Sequence, residues 1–225
     1  MILNLRAELV QLALIALMFI VAAVIWSYVP DRIPVHWNIR GEVDGYGGRF
    51  VGLLLLPLTT LGLYALLLLL PRLDPGYANY RAFAGAYNLI RISLVVFMAA
   101  LYGVTVLAAL GQPVDVGTVV TLGVGGLLVV LGNVMGKIRP NWFVGVRTPW
   151  TLSSKLSWNK THRLAGWMFI VMGVLIALTG MLRSDWFLFV TLGISAAGGL
   201  WLVVYSYLVY RGDPAPVPPS GTSPG

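Results

Sequence analysis

The sequence predicts an all-α integral membrane protein with about six transmembrane helices. Of 225 residues, 58% are hydrophobic and only 10% charged. Mean hydropathy is +0.85. A typical soluble domain carries roughly 25% charged residues, so a soluble fold is excluded. Six apolar runs lie at residues 9–29, 51–70, 88–110, 117–136, 163–182 and 186–210. Each is close to the roughly 20 residues that cross a bilayer, and together they leave no room for a separate soluble domain.

The first run is too long for the apolar core of a signal peptide and ends in Ser27-Tyr28-Val29-Pro30, with no small-x-small cleavage pattern. It is expected to be a retained span. The second contains Pro57, whose missing donor and ring clash predict a kink rather than a break, because neighbouring helices can satisfy the freed carbonyl. In the fourth, Gly132 and Gly136 make a GxxxG spacing; in the sixth, Ser195 and Gly199 make a small-xxx-small pair. Both mark faces for close helix approach, with a regulated or dimeric interface as the sharper alternative. Asn133 is placed to hydrogen-bond across helices.

The chain divides into residues 1–87 with the first two spans, residues 88–210, and a Pro-rich tail, 211–225, which has nothing to bury and is expected to be disordered. A faint echo links Arg32-Ile33-Pro34-Val35-His36-Trp37 to Lys137-Ile138-Arg139-Pro140-Asn141-Trp142. Each follows the first span of a three-span half, as in an inverted repeat.

The basic residues set the orientation. Arg6, Arg72, Arg81, Arg91, Lys137, Arg139, Arg147, Lys155, Lys160, Arg163 and Arg211 fall on the side of the N-terminus; Arg32, Arg40, Arg49 and Arg183 fall opposite. Positively charged loops stay in the cytoplasm, so both termini and the loop 137–162 are expected inside and the loop 30–50 outside. Trp26, Tyr28, Trp142, Trp150, Trp186, Tyr205, Tyr207 and Tyr210 sit near span ends, as interfacial anchors do. The net charge of +7 points to lipid head groups rather than to direct contact with nucleic acid.

Coupled transporters usually hold an ionisable residue deep in the bilayer. Glu8, Arg91, Asp115 and Asp185 all lie within about a turn of a span end, where side chains can reach water. With no Cys and no serine elbow, an enzyme is not expected and no cofactor is called for.

Two loops look like more than connectors. The outer one holds Pro30, Asp31, Ile33, Pro34, His36, Trp37, Asn38, Gly41, Asp44 and Gly45. Its prolines pin the entry and its glycines supply turns, so a compact platform is expected. His36 with Asp31, Glu42 and Asp44 would suit a divalent metal if they converged, although the spacing matches no metal motif; surface pairing with Arg32, Arg40 and Arg49 is the plainer reading. The inner loop holds Asn133, Gly136, Lys137, Arg139, Pro140, Asn141, Trp142, Gly145, Arg147, Thr148, Pro149 and Trp150, then Trp158, His162, Arg163 and Gly166. After Pro149, Thr151 or Ser153 can cap a helix that gathers Lys155, Asn159, His162 and Arg163. Such a helix suits an anionic leaflet, or a cytoplasmic protein or anionic ligand.

The segment from Gly132 to Leu152, continuing through Trp158 and Thr161-His162-Arg163-Leu164-Ala165-Gly166, resembles the signature of the SdpI family of bacterial membrane proteins. Pro-Asp-x-Ile-Pro-x-His-Trp-Asn with Gly-Glu-x-Asp-Gly resembles the small domain of unknown function that precedes it in many members. The resemblance implies a multi-pass protein of the bacterial cytoplasmic membrane with a non-enzymatic role in immunity to a secreted toxic peptide of the SdpC type. It also implies signalling in which a small repressor is drawn to the membrane. A small-molecule or lipid transporter or channel is the alternative, and a membrane-embedded metal enzyme a more distant one.

Overall fold

The computed structural model describes residues 4–182 and 185–219. Its main elements are α1 (Leu5–Ile25), α2 (Arg49–Leu73), α3 (Ala84–Ala109), α4 (Val116–Met135), the single-turn α5 (Pro149–Ser153), α6 (Lys155–Leu182) and α7 (Asp185–Arg211). Six of the seven helices are long and apolar enough to span a bilayer. This is a multi-pass, all-α membrane architecture. Between α1 and α2 the chain forms a small antiparallel hairpin, β1 (Ile33–Trp37) and β2 (Val43–Gly47), so the expected platform is built from strands. A 3₁₀ segment, Tyr77–Phe83, leads directly into α3.

Successive spans reverse direction, so the hairpin lies at one end of the bundle and the loop between α4 and α6 at the other. We call these the hairpin end and the loop end. Asn4 caps α1 by accepting from the amides of Arg6 and Ala7, and Asp115 caps α4 by accepting from Thr118. Helix α2 runs unbroken past Pro57, and the hydroxyls of Thr59 and Thr60 donate back to the carbonyls of Leu55 and Leu56.

The closest packing is between α4 and α6. A Cβ added at Gly132 would stand 2.6 Å from the Gly166 carbonyl oxygen, and one at Gly125 2.5 Å from that of Gly173. Farther along, Thr118 donates to the Gly180 carbonyl at 3.0 Å. These pairs recur every seven residues on both helices, a spacing that returns to nearly the same face every two turns. The sequence reading paired Gly132 with Gly136, but Gly136 is exposed and its Cβ would meet nothing. Gly199 likewise faces open space; its neighbour Gly198 is the one that meets a partner, Met168. Asn133 is exposed rather than turned toward another helix.

The two halves differ in packing. The α1–α3 half has buried apolar clusters around Met18, Leu53 and Tyr102 and around Ile15, Tyr64 and Val95. The cluster around Trp158 joins the 3₁₀ segment, α3, α4, α6 and α7 at the loop end.

Candidate functional site

The inner loop is a folded cap. Asn141 is fully buried; its Oδ1 accepts from the amides of Phe143 and Val144, and its Nδ2 donates to the carbonyls of Arg139 and Val144. One side chain thereby fixes the whole Arg139–Val144 turn. His162 performs the same service for the next stretch. Its Nε2 accepts from the Val146 amide at 3.1 Å, so Nδ1 carries the proton and donates to the Trp158 carbonyl at 2.8 Å. The ring stacks on Trp158 with centroids 4.0 Å apart, and the indole Nε1 donates to the Ile138 carbonyl. Gly145 has φ +110°, and a Cβ there would overlap His162 Nε2, so the position requires glycine.

Helix α5 starts in a capping box between Thr148 and Thr151. Helix α6 is capped by Ser154, whose Oγ accepts from the Ser157 amide; the sequence reading had offered Thr151 or Ser153. The basic stretch it placed on the membrane surface is the start of the spanning helix α6. Its Trp158 and His162 point into the core, while Lys155, Asn159, Lys160 and Arg163 remain exposed.

Three further ties fasten this cap to the rest of the chain. Thr148 and Ser157 reach Ser206 on α7, at its hydroxyl and its carbonyl. Residues 212–219 form no helix or strand, yet Asp213 accepts from Ser154 Oγ and the Val217 carbonyl accepts from the Lys155 amide. Residues 220–225 of the tail lie outside the described residues. From the other half, Asp74 accepts from the Trp142 amide at 3.0 Å, the Tyr80 hydroxyl at 2.8 Å and the Gly76 amide at 2.7 Å. Asn79 Nδ2 donates to the Pro140 carbonyl.

At the hairpin end, Asn38 closes the turn by accepting from the amides of Arg40 and Glu42, and Gly41 supplies the positive φ of +77°. Ile33 is wholly buried and packs where a Cβ on Gly52 would clash with it, seating the hairpin on α2. The metal candidates separate. His36 Nδ1 meets Asp44 at 2.5 Å, but Asp31 turns to Arg49 and Glu42 to Asn38 and Arg40. Among the described residues no group of three or more His, Cys, Asp or Glu could hold a metal ion. Pro30 is exposed, Pro34 and Trp37 are half-buried, and Gly45 packs against the His36 side chain.

A second buried polar group corrects the sequence reading. Glu8 and Arg91 are buried rather than extended to water; they form a two-pronged pair at 2.6 and 2.9 Å, with Arg91 1% and Glu8 8% exposed. Tyr64 donates to the same carboxylate, and its ring lies 5.4 Å from the guanidinium. The group ties α1, α2 and α3 together toward the loop end of the bundle. Helix adjacency brings these side chains together, and no single span shows it.

Residues 137–206 match the SdpI/YfhL protein family, and residues 13–61 match a domain of unknown function, DUF1648. The chain carries an SdpI-family region. Consistently, it is 21% identical over 206 residues to the immunity protein SdpI of Bacillus subtilis strain 168, covering 92% of this chain and 97% of that one. No solved structure matches the chain. The SdpI-family region begins at the loop-end cap and takes in Asn141, His162 and Ser206; the preceding domain spans the hairpin.

Sequence reasoning missed Asp74, Asn79, Tyr80 and Ser206. Asp74 had a signal: it is the only acid between Asp44 and Asp115, and it follows directly on a span. Ser206, within a spanning run, had none.

Proposed function

We propose that the protein is a non-enzymatic membrane immunity protein of the SdpI type. The observation that carries this is similarity along nearly the full length of a protein named for immunity. In this reading the loop end faces the cytoplasm, in keeping with its excess of Lys and Arg, and the hairpin end faces outward. A secreted toxic peptide is met at the hairpin and the outer halves of α1–α3. The exposed cations of the cap, Lys137, Arg139 and Lys155, offer a surface to a small cytoplasmic repressor. Peptide binding reaches that surface only by favouring one packing of the spans over another, since a ligand shifts an equilibrium by its differential affinity. The cap's ties to both halves, through Asp74 and Ser206, are the parts such a shift would move.

The test is expression in a host sensitive to a secreted toxic peptide, with survival scored against an empty vector. Survival should rise; unchanged survival with the protein present in the membrane rejects immunity. Reversing Arg139 and Lys155 should remove repressor recruitment while leaving the fold intact. Arg147 is unsuited to that role, because it donates to the Trp142 carbonyl and holds the loop.

A further inference from the structure

Lys160, Arg163, Leu164 and Trp167 share one side of α6, and with Tyr205 of α7 they line an open cavity of about 340 Å³. Both cations are exposed and have no hydrogen-bond or ion-pair partner among the described residues. The acids of this end are already engaged: Glu8 by Arg91, Asp74 by Trp142 and Tyr80, and Asp213 by Ser154. Two uncompensated positive charges therefore face whatever fills the groove.

The position along the helix says what that is. Helix α6 has 28 residues, a length of about 42 Å at 1.5 Å per residue, against a hydrocarbon core of about 30 Å. Its first turns must stand among head groups. Side chains on a helix lean toward its N-terminus, so Lys160 and Arg163 extend toward the phosphate layer. Trp167 lies four residues beyond Arg163 and seven beyond Lys160, about 6 and 10 Å farther in, and is 68% exposed, which sets its indole toward glycerol and the upper acyl chain. A free phosphate would use the two cations and leave the apolar wall bare.

We propose that this groove binds an anionic phospholipid, with phosphate between Lys160 and Arg163 and the glycerol and upper acyl chain against Leu164, Trp167 and Tyr205. The site is independent of the immunity reading. Native mass spectrometry of the whole purified protein, titrated with phosphatidylglycerol, phosphatidylcholine or inorganic phosphate, tests it. Phosphatidylglycerol should be retained in preference to phosphatidylcholine. K160Q/R163Q should weaken that retention about thirtyfold, the equivalent of two cations at about 1 kcal/mol each. R72Q/R81Q removes the same charge from exposed positions elsewhere on this end and should leave retention unchanged. W167L, which spares the charge, should weaken it for both lipids. Equal loss in the two charge variants, no preference over phosphatidylcholine, or displacement of the lipid by millimolar inorganic phosphate would each overturn the proposal.

Discussion

At the scale of single residues, the loop end rests on a few side chains that saturate the backbone around them. Gly145 is the sharpest case, because its left-handed backbone and its contact with His162 both forbid a side chain. G145A should therefore cost about 2–3 kcal/mol, from backbone strain plus a displaced hydrogen bond. Thermal unfolding in detergent reads this directly, and a melting point equal to the parent's would show that the cap does not depend on this contact. The sequence made the residues of this cap visible but not their roles. His162 reads from sequence as one of a group of basic and polar side chains on a surface helix; in the fold it is a neutral clip between Val146 and Trp158. Partners 16 and 68 residues apart, as for His162 with Val146 and Asp74 with Trp142, follow from tertiary packing that local pattern does not encode.

At the scale of elements, all six spans and the tightly turned hairpin loop were legible, because hydrocarbon-length apolar runs and turn residues act locally. Which faces meet was not. The GxxxG spacing at Gly132 and Gly136 is a four-residue pattern, whereas the faces in contact follow a seven-residue pattern that shows only when α4 and α6 are compared. In a bilayer, where apolar burial gives helices no advantage over lipid, such close contact is what holds them together. G132A places a methyl group against the Gly166 carbonyl and should push the helices apart, lowering stability by about 1–3 kcal/mol. G126A, one position beyond Gly125 and facing nothing, should not destabilise and should gain up to about 1 kcal/mol from the better helix former. Unfolding of both variants in a detergent series separates them; equal behaviour would mean that the α4–α6 contact carries no more stability than any other face.

At the scale of the whole molecule, two built ends face away from each other across a bundle whose helices α1 and α3 are pinned together by Glu8 and Arg91. The proposed assignment of sides rests on the charge distribution alone, since translocating Lys- and Arg-rich loops is disfavoured. The chain contains no cysteine, so single cysteines report on accessibility without further engineering. R40C at the hairpin tip, R139C in the cap and A215C in the tail replace exposed residues at three informative points. A membrane-impermeant maleimide applied to intact cells should label R40C, and should label R139C and A215C only after permeabilisation. Six crossings require the last two to behave alike, whichever way the protein is inserted. Labelling of R139C and A215C but not R40C in intact cells would invert the orientation and remove the outward hairpin, leaving the fold untouched. Labelling of R40C and R139C together would mean that the two loops share a side, which six antiparallel spans in this order cannot produce.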